Sequence, residues 1–568
     1  MPRAKEGDSV QRYSTSSSIT AQLLIVFIIA ATVFLFLRTR DYLTVDGALR
    51  ALQVYDVGKP FLHTNNHLLF PVNVYIWTTV LHSLGIRTDN PFAFLALVQA
   101  MNGVAASAFL TVLYGLCYKL TNRITVASLV TIGYGSSRAF LAHATNSAEP
   151  MVGLLWSGIS VVLAVYGISR GKSWAFFAGG LLLSLAMATY QSMVLVGLPT
   201  VFLLWQWPVR RGDERGLRAR IFPVMQFGAG FALGLPIIYG TAYWFSGTRT
   251  VAGMTERFLH VALSEFYGGV TPVKTLAVLP GLAYALFPCL PRECTGFRCL
   301  SEGQYRPWIP VAGLAVIVAG LSLTAMLGLA KRIWTNLTEL EKVVIACCAL
   351  GLIATMVPVV YWMPTYDKFW LQPLASLFLS SGILLNAALR ADARMSSLRH
   401  LARWSCALVV AVGLSNLGRA KSLSAGPTPY LKEAQEVATL VRPKDLLVGD
   451  RDGIYLLYQY FWAARANTFN VPTDLEVNGP GTMARLSRAA AQAQDAGGEV
   501  FFLGLLDLSE GEWKALIGAR GGPPYEQLGE SRRCAEIIRS YRCGGRMVTL
   551  RRLGACAANV RGPGVPES

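Results

Sequence analysis

The first 417 residues hold thirteen apolar segments, most of them long enough to cross a bilayer, and this pattern restricts the fold more than any other feature. The segments are 19–37, 68–86, 92–117, 124–141, 150–168, 174–189, 190–207, 222–245, 275–290, 308–330, 342–363, 370–389 and 401–417. A helix rises about 1.5 Å per residue and the hydrocarbon core of a bilayer is about 30 Å thick, so roughly 20 apolar residues cross it. Inside that core every backbone N–H and C=O must be paired within the protein, which leaves helices as the form such runs take. The expected fold class is therefore a polytopic α-helical membrane protein. Composition agrees, with 53% hydrophobic and only 15% charged residues, against about 25% charged in an ordinary soluble domain.

The net charge of +18 does not call for nucleic acid here, because cytoplasmic loops of membrane proteins collect Lys and Arg. Basic loops at 208–220 and 390–404, and shorter ones around Lys119, Arg170 and Lys331, mark the inner face. With the N-terminal tail 1–18 also inside, two segments must fall short of a full crossing. These are 68–86, which is short and carries Pro71 and Asn73, and 275–290, which Pro280-Gly281 is expected to break. About eleven full spans remain, with the N-terminus cytoplasmic and the C-terminus outside. Four connections then share the outer face: 38–91, 142–149, 246–307 and 364–369. The first apolar run is too long for a signal peptide and lacks a small-residue cleavage site, so it reads as an uncleaved helix.

After 417 the texture changes. Residues 430–441 have a helical apolar period, DLLVGD (445–450) and EVFFLGLLDL (499–508) read as strands, and 509–519 reads as a helix. A helix is expected within GTMARLSRAAAQAQDAGG and a last strand at 547–553. The region 418–560 is expected to be a small extracytoplasmic α/β domain, followed by a disordered tail at 561–568. Its cysteines, and those at 289, 294 and 299, offer disulfides such as Cys294–Cys299 or Cys534–Cys543 if they face an oxidising compartment.

The polar residues of interest cluster where the outer face is expected. The loop DYLTVDGALRALQVYDVGKPFLHTNNH (41–67) lies beside the membrane surface, and polar groups there are costly to bury unless they have a task. Asp46 precedes an amphipathic stretch suited to a surface helix. It can serve as a general base or simply cap that helix, with Asp41 and Asp56 as fallbacks. Glu149 precedes Pro150 at the start of a span, where a helix dipole favours an anion. Arg138 in GYGSSRAF and Lys368 in YWMPTYDKFWLQP are placed to hold a phosphate by charge-assisted hydrogen bonds; Lys368 can equally be a flanking charge. Arg249, Arg257 and Lys274 are secondary candidates. Tyr366 and Trp370, with Tyr361 and Trp362, are either an interfacial aromatic belt or the lining of a lipid groove. His63 and His67 flank Thr-Asn-Asn. No third ligand has suitable spacing, so a structural or substrate-contacting role is preferred to a metal. No Walker loop, GxSxG or dinucleotide fingerprint occurs, so an external reaction would draw its energy from a membrane-borne donor.

Four stretches together resemble the GT-C superfamily, polytopic glycosyltransferases that take sugar from a polyprenyl-phosphate carrier. They are TVDGALRAL around Asp46, NHLLFPVNVYIW, the span ending HATNSAEP with Glu149, and YWMPTYDKFWLQPL. The chain is most similar to the branch of dolichyl-phosphate-mannose protein mannosyltransferases and bacterial aminoarabinose transferases, over about 19–417. It departs from that pattern in Gly47, where many members have a second acid, and in Tyr190-Gln191 in place of His-Gln.

The resemblance implies a GT-C-like catalytic domain over 19–417, with surface helices in 38–67. Asp46 would be the base, Glu149 would bind acceptor or position the surface helix, and Lys368 and Arg138 would stabilise the leaving phosphate. It implies inversion, an extracytoplasmic reaction in an inner (plasma) membrane, and an acceptor that is protein, lipid or glycan. No cofactor is implied with a monophosphate donor; a divalent cation on Asp46 and Glu149 would enter with a pyrophosphate. The composition, rich in Arg, Ala and Gly, suggests a bacterium of high GC content. Two other classes compete: a transporter or lipid flippase, which would carry ionisable residues near mid-span, and a non-catalytic assembly subunit.

Overall fold

The structure, a computed structural model, describes residues 8–38, 45–58, 67–88, 91–210, 216–245, 250–253, 255, 270, 272–286, 334–361, 366–390, 407, 409–418, 420–421, 436–437, 439–449, 467–471, 475, 481–518, 522, 524–543 and 546–554. The expected span 308–330, the loop cysteines 289, 294 and 299, His63, Asp41, Arg249, Arg257, Trp362 and the tail 561–568 lie outside them. So do the side chains of Asp46 and Asp56. The chain divides into two compact units, Met1–Ser424 and Ala425–Ser568.

The first unit is helical: α1 (Asp8–Phe36), α2 (Val45–Val57), α3 (Phe70–Ser83), α4 (Pro91–Thr121), α5 (Ile124–Gly135), α6 (Arg138–Ala144), α7 (Pro150–Arg170), α8 (Trp174–Thr189), α9 (Gly197–Arg210), α10 (Gly216–Phe245), α11 (Pro272–Leu276), α12 (Val278–Leu286), α13 (Glu339–Tyr361), α14 (Leu371–Arg390) and α15 (Val409–Gly418). Short 3-10 turns at Gln191–Val196 and Asp367–Trp370 lead into α9 and α14. Among the described residues six helices are long and apolar enough to cross a membrane, which makes this a multi-pass fold. Leu24, Ile25, Ile28 and Ile29 of α1 are each more than half exposed. On a soluble protein such a face would be an association site; on a spanning helix it meets lipid.

Two helix boundaries differ from expectation. Segment 124–141 is not one helix, because Ser136-Ser137 ends α5 and Ser137 Oγ caps a new helix, α6, by accepting from Phe140 N. In 275–290 the break falls at Ala277, between α11 and α12, and not at Pro280-Gly281. Proline is tolerated within the first turn of a helix, where its missing N–H has no intrahelical partner. Helix α3 has 14 residues and is therefore about 21 Å long, short of a full crossing, as its sequence suggested.

The second unit is a five-stranded sheet in the order β2-β1-β3-β5-β4. Its elements are β1 (Leu446–Gly449), β2 (Asn467–Asn470), α16 (Thr482–Asp495), β3 (Val500–Leu503), α17 (Glu510–Leu516), α18 (Leu528–Cys534), β4 (Ala535–Cys543) and β5 (Arg546–Leu553). Strands β2, β1 and β3 are parallel; β5 and β4 add antiparallel. The central strands are buried on both faces, as covered parallel strands must be. Leu446, Val448, Val500 and Phe502 pack with Trp513, and the alternate Leu447, Phe501 and Leu503 pack with Tyr541, Val548 and Leu550. The strand expected over 499–508 stops at Leu503. Gly504 has φ of 74°, a conformation that glycine adopts without strain, and a 3-10 turn follows. Cys534 is disulfide-bonded, but Cys543 is not a feasible partner. The two stand at opposite ends of the nine-residue β4, roughly 30 Å apart, whereas disulfide-linked Cα atoms lie about 4.4–6.8 Å apart.

Candidate active site

Side chains from all four connections expected on the outer face meet in this structure. The centre is the turn Thr145–Glu149 between α6 and α7, which is buried throughout. A buried turn must find partners for its peptide groups. Asn102 of α4 supplies two, its Nδ2 donating to the carbonyls of Asn146 and Ala148, both at 2.7 Å. Pro150 then opens α7 with Glu149 at the N-cap position, the helix start that proline favours.

Helix α2, from the first expected outer connection, docks on this turn. Asp46 lies in its first turn, one residue past Val45, and so does not occupy the cap position. A Cβ on the next residue, Gly47, would stand 1.8 Å from the Ser147 carbonyl oxygen; only glycine allows this approach. One turn further on, Arg50 Nε lies 3.7 Å from Glu149 Oε1, with both side chains largely buried. The backbone at Asp46 is thereby held beside the Asn146–Glu149 segment.

On the other side of the turn, His143 of α6 meets the last connection. Its Nε2 is 3.1 Å from Asp367 Oδ1, and both residues are buried. A carboxylate only accepts, so Nε2 carries the donated proton. The charges of Arg138 and Lys368 also act on this carboxylate. Arg138 lies over the ring of Tyr284 on α12 and donates to its hydroxyl. Lys368 Nζ stands 4.7 Å from the Tyr366 ring centroid and 5.6 Å from that of Phe369, a cation–π arrangement. Asn416 of α15 braces this side, donating at 2.7 Å to the carbonyls of both Ser136 and Leu286.

Of the residues singled out from sequence, the structure gathers Arg138, Lys368 and Tyr366 around one centre. Glu149 and the backbone of Asp46 flank the adjoining turn. His67, with φ of 62°, instead stacks on Tyr190 at 5.0 Å and 10° between planes, at the C-terminal end of α8. Trp370 is buried and so does not belong to an interfacial belt. Lys274 Nζ donates to the Tyr361 carbonyl at the end of α13 at 2.8 Å, a helix-capping contact; burial lowers its pKa. Sequence reasoning missed His143, Asp367, Arg50, Tyr284 and Asn102. The first two lie inside the quoted HATNSAEP and TYDKFW stretches, so a histidine and an acid in two such motifs were the available signal. Among the described residues no group of three or more His, Cys, Asp or Glu side chains gathers as a metal site would.

No family model matches this chain, and no curated protein matches it. Among solved structures it is similar to ArnT from Cupriavidus metallidurans bound to undecaprenyl phosphate, at 15% identity and a TM-score of 0.47, over 96% of this chain and 100% of that one. The apo state of the same protein aligns at 14% identity and a TM-score of 0.47, over the same shares. At that level of likeness the chemistry has to be read from this chain's own residues.

Proposed function

We propose that this protein is a GT-C-type glycosyltransferase that moves a sugar from a polyprenyl-phosphate carrier to an acceptor on the extracytoplasmic face of the membrane. The observation that carries the reading is the convergence at the α6–α7 turn. An acid-bearing surface helix, a buried acid and two cations meet there, at one end of an otherwise apolar bundle. In this reading the acceptor oxygen attacks the anomeric carbon while Asp46 takes its proton. The bond from that carbon to the carrier's phosphate oxygen breaks, its electron pair leaving with the lipid phosphate, and the anomeric configuration inverts. Arg138 and Lys368 stabilise the charge that grows on the phosphate, the kind of preorganised electrostatic help that lowers such barriers most. Glu149, held by Arg50, positions α2 and with it Asp46. The acceptor is a protein, lipid or glycan hydroxyl.

A transporter would place ionisable groups near mid-span. The buried acids His143's partner Asp367 and Glu341 instead sit at helix starts, Glu341 receiving Arg390 and Thr338 at the opening of α13. This favours a surface reaction over a transport path.

The test is sugar transfer by the purified protein in nanodiscs, with a panel of polyprenyl-phosphate sugars and a membrane extract as acceptor. Asp46→Asn is expected to lower transfer by about 100-fold or more while the protein remains folded. Equal transfer by both proteins removes Asp46 from the chemistry. Absence of transfer from every donor overturns the proposal.

A further inference from the structure

In the second unit, helix α16 starts without a side-chain cap over one edge of the sheet. Strands β2, β1 and β3 lie in that order and run parallel. Helix α16 follows β2, precedes β3 and packs on β1 and β3. Its C-terminal end adjoins the amino end of β1: a Cβ on Gly498 would stand 2.1 Å from the Lys444 carbonyl oxygen, and Leu446 N donates to the Glu499 carbonyl at 2.8 Å. The helix therefore runs back along the strands, and its first turn, about 20 Å away, lies at their carboxyl ends. The chain leaves β1 toward β2 on one side, and leaves β3 toward β5 and β4 on the other. In open α/β sheets ligands bind at the carboxyl edge beside such a switch point. Both strands end on glycine there. Gly449 closes β1 and Gly504, with φ of 74°, follows β3, and backbone without a Cβ lets a ligand come close.

The first turn itself is built for an anion. The leading N–H groups of a helix lack intrahelical partners. Here the N-cap is Gly481, no side chain caps the turn and no acidic residue stands in it. A Cβ on Gly481 would have no atom within 4 Å, so the helix start is open. Thr482 is fully buried, and among the described residues its hydroxyl has no hydrogen-bond partner. A buried hydroxyl left unpaired is costly. Thr482 shares the buried stripe of α16 with Leu486 and Ala493, which pack on β1 and β3. Helical side chains lean toward the N-terminus, so this hydroxyl is directed to the helix start over the strand ends. We propose that this end of α16 is a phosphoryl-binding site, in which first-turn N–H groups and the Thr482 hydroxyl donate to the oxygens of one phosphate group. The positive end of the helix dipole favours the same charge. A phosphate presents three or more acceptor oxygens to several converging donors, where a carboxylate presents two. The site goes beyond the glycosyltransferase reading and does not depend on it. It gives the second unit a ligand of its own: free phosphate, a sugar phosphate or a phospholipid headgroup.

The test uses the full-length protein in phosphatidylcholine nanodiscs and reads amide hydrogen exchange over 482–486. The arms are inorganic phosphate, glucose 1-phosphate, phosphatidic acid added to the disc, and sodium chloride at matched ionic strength. A phosphate-bearing arm is expected to slow exchange about tenfold at ten times its Kd, and chloride to leave it unchanged. The arm that acts at the lowest concentration identifies the source of the phosphate. Thr482→Val keeps the side-chain shape, removes the hydroxyl and should weaken phosphate binding about tenfold. Gly481→Asp places a carboxylate at the helix start, where it takes the ligand's position, and should abolish the response to phosphate. The protein should still fold, because φ at Gly481 is −67° and the added Cβ is unobstructed. Slowing of equal size by chloride overturns the site, as does no slowing in any phosphate arm. So does a phosphate response that both variants retain in full.

Discussion

His143 Nε2 lies 3.1 Å from the carboxylate of Asp367, although 224 positions separate the two residues in the chain. The contact ties α6, which precedes the buried Thr145–Glu149 turn, to the 3-10 turn that starts α14. Both partners are buried, so neither can exchange its companion for water. The pair therefore sets how the two segments meet, and with them how Arg138 and Lys368 are placed.

Removing the histidine should leave the Asp367 carboxylate buried without its main partner. We expect His143→Ala to cost about 3 kcal/mol of stability and to lower sugar transfer, because Lys368 adjoins Asp367 in the chain. Thermal unfolding in detergent measures this. A variant with an unchanged midpoint would show that the contact contributes little to holding the site.

Gly47 gives a test of the docking of α2 that leaves every charged group in place. Alanine there would put a methyl carbon 1.8 Å from the Ser147 carbonyl oxygen, so α2 has to move. Overpacking of this kind typically costs about 1–3 kcal/mol. Hydrogen exchange over 45–57 should quicken in Gly47→Ala, and transfer should fall although Asp46 is still present. Unchanged exchange and full transfer would mean that α2 can be displaced without consequence for the site.

The second unit has an acid-sensitive anchor in Asp445. This buried carboxylate accepts from Arg442 N at 2.7 Å, from the Arg442 side chain at 3.2 Å and from Glu499 N at 2.8 Å. Burial pushes its pKa up, but the Arg442 side chain and the backbone donors more than offset this and hold it below the usual carboxylate value. The unfolded chain titrates near 3.9, above the folded value. The stabilisation is thus fully present above about pH 4 and is lost as pH falls through the folded pKa. Exchange protection of β1 in the full chain should hold down to about pH 4 and decline below it. Asp445→Asn should weaken β1 at neutral pH and remove the acid step; a decline of the same size in that variant would assign the step to another group.

Much of the architecture was legible in the residues. The boundaries of α8, β1 and β5 follow the apolar pattern closely, and α3 falls short of a full crossing as its length and its proline suggested. Charge counting along the loops grouped four connections on one face; contacts of Arg50 with Glu149 and of His143 with Asp367 join three of them, and Tyr284 of the fourth meets Arg138 in the apolar segment before the second. Strand β4 was missed because AEIIRSYRC is a half-exposed edge strand whose charges break the apolar alternation; its pairing with β5 is mainly a backbone property. The break at Ser136-Ser137 was missed because the apolar run resumes directly after Arg138, so hydropathy alone carries 124–141 across it.

Taken alone, the sequence determined what local composition can determine: which runs are long and apolar enough to leave water, which short apolar runs form strands, and where a unit with a sheet follows the helices. It also marked the segments in which polar residues stand close to those runs. Only the tertiary structure decided which of those polar residues meet. The approach of Gly47 to Ser147, the placing of Arg50 against Glu149 and the choice of Asp367 as partner for His143 depend on which helix faces come together in the bundle. A hydrophobic period records that a face is buried but not what it is buried against.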